Sequence, residues 1–200
     1  MASPTTEARP LRADARRNRE RVLAAARAVF AEDGSEAQMD EIARRAEVGV
    51  GTVYRHFPTK DALVAALVTD SFERLADAAR DAVDEPDPWK AFEQVLWRGA
   101  ELLAANRGVS ESLATLPTVE ESRPTDAHLR LHDGMTAVMD RAKAAGVLRA
   151  DACIDDIPML MCGVGMATRK PHRCAASWKR HLSIVLDGLR APAATGRLPD

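Results

Sequence analysis

The sequence predicts an all-α protein, an N-terminal three-helix unit followed by a larger multi-helix domain. Three observations lead there. Apolar residues recur at the 3.6-residue helical period, and no stretch alternates with period two. Gly and Pro clusters punctuate the chain at helix-length intervals. Among the 200 residues 46% are hydrophobic but only 4% aromatic, a composition poor in the residues that strand-rich folds favour.

The elements follow in order. Residues 1–12, with Pro4 and Pro10, read as a disordered arm. A first helix starts near Asp14 and carries Val22, Ala26, Val29 and Phe30 on one stripe, with Gly34 suited to a left-handed end. A short second helix covers about Met39 to Ala46, and Glu47 to Val50 make a turn. A third short helix turns Val53 and Phe57 inward and is stopped by Pro58. Thr59 can cap a long fourth helix from Lys60 to about Val83. After the break Asp84–Pro88, helices are expected over about Trp89–Asn106, Val109–Leu116, Thr125–Ala145, Ile154–Thr168 and Ser177–Leu189. A polar loop spans Thr118–Pro124, Gly146 closes one helix, Pro171 separates the last two, and Pro158 falls in a first turn or makes a kink. The tail 191–200 reads as flexible. The expected division is arm 1–12, first domain 13–60, second domain 61–190 and tail 191–200.

Charge narrows the function classes. The chain has 28 Lys and Arg against 30 Asp and Glu, net −2, yet residues 9–30 hold seven Arg and only Asp14 and Glu20. A basic stretch on an otherwise acidic chain suggests a polyanion contact at one end. No apolar run reaches the roughly 20 residues of a membrane span. The N-terminus lacks the apolar core of a signal peptide, and three cysteines do not make a disulfide framework. The expectation is a reduced, cytoplasmic protein. No nucleophile elbow, phosphate loop or zinc-protease motif occurs, so neither catalysis nor a cofactor is expected. Gly49-Val50-Gly51 and Gly163-Val164-Gly165 resemble the start of a dinucleotide fingerprint, but no strand precedes either.

Two short helices joined by a tight turn and braced by a longer first helix form a helix-turn-helix. A two-turn helix is not stable alone. Ile42, Ala43, Val48, Val53 and Phe57 can pack on Val22, Ala26 and Phe30, leaving the other face of the third helix outward. Gly49 and Gly51, flanking Val50, permit close approach to a phosphate backbone. Thr52 and Tyr54 offer hydroxyls, and Arg55, His56 and Lys60 offer charge.

Residues Met39 to Lys60, MDEIARRAEVGVGTVYRHFPTK, resemble the signature of the TetR (tetracycline-repressor-like) family of bacterial regulators. The likeness runs from about Ala13 to Leu67. It takes in the Arg-rich first helix ending in Val29-Phe30, Gly34, Ile42-Ala43, Val48, Gly51-Thr52, Tyr54, His56-Phe57 and Lys60. The resemblance implies a homodimer, a recognition helix over about Val50 to Phe57, and release from a palindromic DNA operator when a ligand binds. It places Thr52, Tyr54 and His56 at DNA and Lys60 on a phosphate. Arg55 is an inferred contact, and Arg12, Arg16 and Arg17 are expected near phosphates or a minor groove. Two positions depart from the pattern: Glu47 stands where a turn Gly is common, and Gly49 where Ser or Thr often caps.

The second domain needs an input, and a small, largely apolar effector is the expected one. Trp89, Phe92, Trp97, Met135, Met139, Met159, Met161, Cys162 and Met166 are candidate pocket residues between the helices at about Trp89–Asn106, Thr125–Ala145 and Ile154–Thr168. For each residue alone, a Met-rich core is the competing reading, and for Cys162 a buried structural thiol. His128 and His132, one turn apart, are candidates for a polar ligand group. A metal- or redox-responsive regulator using these imidazoles or Cys153, Cys162, His172 and Cys174 is an alternative, as is an all-helical interaction protein without sequence-specific DNA binding. No third metal ligand is evident, so no metal is expected. Trp178, Leu182, Val185 and Leu189 make an a/d-like seam, and Ile157, Leu160, Val164 and Thr168 a similar stripe. They are expected to form a four-helix dimer interface, with attachment to the chain's own core as the competing reading.

Overall fold

A computed structural model describes the backbone of residues 8–105, 125–168 and 178–199, with side chains from residue 14 onward in the first stretch and up to 167 in the second. The helix expected over Val109–Leu116, the loop Thr118–Pro124, Pro171, His172, Cys174 and the Arg12 side chain lie outside the described residues. Among those described, the regular structure is helical: α1 (Ala8–Asp33), α2 (Met39–Arg45), α3 (Val50–His56), α4 (Lys60–Ala82), α5 (Pro88–Ala105), α6 (Asp126–Ala144), α7 (Asp156–Thr168) and α8 (Trp178–Leu189).

The local signals act as chemistry requires. Thr59 Oγ1 accepts from Ala62 N–H at 3.0 Å to open α4, and Thr125 Oγ1 accepts from His128 N–H at 3.3 Å to open α6. Such caps are worth about 1 kcal/mol each. Asp87 Oδ1 accepts from Trp89 and Lys90 N–H at the start of α5, where Pro88 loses nothing by lacking a donor. Pro158 sits in the first turn of α7. Gly34 takes φ +59° after α1.

Two apolar cores result. The first gathers Val22, Val29 and Phe30 of α1, Ile42 of α2, Val53 of α3, and Leu63, Val64 and Leu67 of α4. The second gathers Ala79 and Ala82 of α4 with α5, α6, α7 and α8 around Phe92, Val138, Met139, Val164 and Leu182. The opening turns of α4, grouped by sequence with the second domain, thus pack in the first core.

Both chain ends differ from expectation. α1 begins at Ala8, inside the stretch read as a disordered arm. Pro10 falls in its first turn, where its missing N–H has no helical partner to lose. The tail is not free either. Arg190 bridges Leu148, Arg149 donates to the Gly196 carbonyl at 2.8 Å, and Asp151 accepts from Leu198 N–H at 2.7 Å. Composition carries no sign of these long-range polar ties.

Candidate nucleic-acid interface and effector cavity

The α2–α3 turn sets the pose of α3. Val48 N–H donates to the Ala43 carbonyl and Glu47 N–H to that of Arg44, at 3.1 and 3.2 Å. This is a Schellman end, which needs a left-handed residue in its middle. Glu47 supplies it at φ +52°, alone among the described non-glycine residues in taking a positive φ. The departure noted in the sequence therefore falls where glycine is conformationally preferred. Arg21 of α1 holds the strained residue twice, donating to its carbonyl at 3.0 Å and to its carboxylate at 3.2 Å. Gly49 then opens α3 with its carbonyl, accepting from Thr52 and Val53 N–H.

Phe57 and Val53 are buried, so the opposite face of α3 must point out. Val50 is 40% exposed and Tyr54 46%. Gly51 and Arg55 are exposed, Thr52 and His56 half-buried at the edges. Lys60 is half-buried, its ammonium over the Phe30 ring and donating to the Ser35 carbonyl. It braces the end of α1 as well as standing beside the reading face. Arg16 and Arg17 are exposed on α1, beside Glu20 and Asp14 respectively. Arg19, which the sequence reading passed over, lies over the Phe57 ring at 5.5 Å, bringing α1's charge to the end of α3. Its signal was its place one turn before the buried pair Val22 and Leu23.

An ion network stiffens α2 behind this face. Arg45 donates to Glu32 of α1 at 2.7 Å and to Glu41 at 2.7 Å, while Arg44 also holds Glu41. The Arg44 and Arg45 guanidiniums hold the Glu41 carboxyl well below its ordinary range, at about 2.

In the second domain a cavity of about 460 Å³ opens between α4, α5, α6 and α7, a size suited to a small organic ligand. Met135, Met161, His128, His132 and Cys162, all candidates from the sequence, line it. Val68, Phe72 and Leu75 of α4 form a wall that the sequence reading did not assign, although they continue the stripe begun by Val64. The His128 ring stacks on Phe72 with centroids 4.9 Å apart.

Several expected pocket residues are elsewhere. Phe92 and Met139 are buried in the core and do not reach the cavity. Trp97 packs on Trp178, centroids 5.7 Å apart. Met159 and Met166 point outward, 75% and 58% exposed. Cys162 is exposed at the cavity edge rather than a buried structural thiol. Helix rotation, which composition does not reveal, decides which side of α7 faces in. No cluster of three metal-ligating side chains occurs among the described residues.

Four residues of the expected dimer seam lie inside the protomer. Ile157, Val164, Leu182 and Leu189 are buried in the protomer's own core, and Leu160, Trp178 and Val185 pack against it half-buried. Within the protomer the stripe packs on α5 and its neighbours. The outward faces of α7 and α8 carry Met159, Met166 and Ile184, the last 60% exposed.

A helix-turn-helix with its reading face outward, joined by one long helix to a cavity-bearing helical domain, defines a class of ligand-responsive regulators. A family model described as bacterial regulatory proteins, tetR family, matches residues 22–67. A second, described as the SbtR-like transcriptional regulator C-terminal domain, matches residues 87–191. The chain belongs to the TetR family. Among solved structures, a TetR transcription regulatory protein from Mycobacterium vanbaalenii is 36% identical, with TM-score 0.67 over 90% of this chain and 99% of that one. The TetR transcriptional regulator SCO0520 from Streptomyces coelicolor is 34% identical, with TM-score 0.66 over 86% and 98%. The HTH-type transcriptional repressor KstR of Mycolicibacterium smegmatis is 45% identical over 67 residues, 33% of this chain and 32% of that protein. The match thus spans about a third of that relative's length. No described helix is long and apolar enough to cross a membrane.

Proposed function

We propose that this protein is a cytoplasmic DNA-binding transcriptional regulator, not an enzyme, acting as a homodimeric repressor released from a palindromic operator by a small, largely apolar effector. The carrying observation is the pose of α3: Val53 and Phe57 are buried while Val50, Gly51, Tyr54 and Arg55 face solvent. In this reading Thr52, Tyr54, Arg55 and His56 meet bases and phosphates, Lys60 meets a phosphate, and Arg12, Arg16 and Arg17 follow the backbone beyond. Two copies of α3 enter successive major grooves, about 34 Å or a little more apart. Family membership and the exposed basic groups support this.

The domain division is proposed at α4, whose opening turns belong to the first core. The dimer forms through the outward face of α7 and α8, around Met159, Met166 and Ile184, which leaves apolar surface for a partner copy. The effector occupies the cavity, against Met135 and Leu131, with His128 and His132 at hand for a polar group. An effector that favours the non-binding pose weakens DNA affinity, and DNA weakens effector affinity by the same factor, typically about 1–3 kcal/mol.

Selection of bound fragments from the source genome tests the reading. One enriched palindrome, with affinity falling steeply as salt rises, is expected. Failure to enrich any sequence overturns it.

A further inference from the structure

Helix α4 is held at both ends and least packed in the middle. Its opening turns lie in the first core through Leu63, Val64 and Leu67. Its far end is pinned to α6. There Ala79 meets Gly134 so closely that a Cβ added at Gly134 would stand 3.1 Å from that of Ala79, and Arg141 donates to the Val83 and Glu85 carbonyls. Between them, Val68, Phe72 and Leu75 face the cavity. By the helical period, Asp70 points to the far side. There its Oδ2 accepts from Arg27 of α1 at 2.6 Å and from Arg74 at 2.7 Å. Arg27 and Asp70 are both about four-fifths buried.

We infer that the Arg27–Asp70–Arg74 cluster is a latch that couples the cavity to the DNA-reading unit, Asp70 being its positioning residue. The inference rests on the effector half of the reading above. With α4 pivoting near Ala79, each 1 Å of displacement at Phe72 becomes roughly 3 Å at Lys60, because the two stand about 10 and 28 Å from the pivot at 1.5 Å per residue. That gain reaches the reading unit only if the stretch between Leu67 and Leu75 does not bend. The latch ties this stretch to Arg27 in the last two turns of α1. Arg74 holds the carboxylate in place, and the shielded position strengthens the pair relative to an exposed one.

The test uses the full chain with Cys153, Cys162 and Cys174 replaced by Ser and spin labels at Gln38→Cys and Asp140→Cys. Labelled protein is diluted with unlabelled protein so that distances within one protomer are read. Gly99→Leu serves as the cavity probe. Gly99 lines the cavity, where a Cβ would meet Met161 Cε at 3.3 Å and a Leu75 methyl at 3.7 Å. Leu103→Phe is a second probe should Gly99→Leu not fold. The probe should shift the label distance, by about 3 Å for each 1 Å that it displaces Phe72. Asp70→Asn should abolish the shift and broaden the distribution. Asp77→Asn, which removes an exposed pair with Arg80 on the same helix, should keep it. An undiminished shift in Asp70→Asn overturns the latch. No shift with Asp70 intact overturns both the latch and the effector half of the reading. A failed genomic selection alongside a latch-dependent shift removes the DNA reading alone.

Discussion

Helices α2 and α6 end in the same way. In each, a left-handed residue follows the last turn, and its N–H and that of the next residue donate to carbonyls inside the helix: Glu47 and Val48 to Arg44 and Ala43, Gly146 and Val147 to Lys143 and Ala142. At α6 the left-handed residue is Gly146, at φ +67°; at α2 it is Glu47, at φ +52°, held by Arg21. The second domain uses the residue that suits the backbone, whereas the reading unit carries strain in the turn that aims α3 and needs a neighbouring helix to hold it. The contrast extends to the surfaces. Polar and basic groups face out from the reading unit, whereas the second domain leaves Met159, Met166 and Ile184 in solvent and a cavity inside. The first surface is polar and basic, the second in part apolar.

The largest expected effect concerns α8. Leu182→Asp puts a carboxylate in the protomer core and should destabilise the fold by about 4 kcal/mol or more, read in denaturant melts. Ile184→Asp with Met159→Asp should leave the protomer folded and give monomers in sedimentation. A dimer that survives the pair would end the contrast between a DNA-facing and a self-facing surface.

On the reading unit, Tyr54→Ala and Lys60→Ala should each weaken binding to the selected operator by about 1–3 kcal/mol in titrations. Lys60→Ala should also lower the melting temperature, because Lys60 holds the Ser35 carbonyl.

The turns give a smaller, reciprocal pair. Glu47→Gly should stabilise by about 1 kcal/mol through relief of the left-handed strain, while Gly146→Ala should destabilise by a similar amount. A Cβ at Gly146 meets nothing within 4 Å, so that change reports the backbone alone. No gain from Glu47→Gly would mean that the Arg21 contacts already offset the strain.

The smallest effect is acid sensitivity. Glu41 is held at about 2, below its ordinary 4.5. A depressed carboxylate contributes its full stability above the higher value and loses it as pH falls toward the lower. The stability advantage of the wild type over Glu41→Gln in denaturant melts should therefore shrink between about pH 5 and about pH 2.

Much of the fold was legible because its signals are local. Helix periods, Thr59 and Thr125 as caps, Gly34 and Gly146 as ends, and the inward pair Val53 and Phe57 depend on neighbours a few residues away. The outward placement of Tyr54 and Arg55 follows from that pair. The Arg21 clamp on Glu47, Arg19 over Phe57 and the packed tail were not legible, since each joins residues far apart in the chain.

Sequence by itself determined that the described elements are helical, where most of them start and stop, the start of α1 excepted, and which face of α3 is free, because period and capping are short-range properties of the backbone. Tertiary structure alone decided how α7 and α8 are turned. A stripe such as Trp178, Leu182, Val185 and Leu189 states that one side of a helix avoids water, but not whether the covering surface belongs to the same chain or to another. Only the packing of α5 against that stripe assigns it to the protomer, and only the gap left between α4, α5, α6 and α7 makes a cavity of Phe72, His128 and Met135.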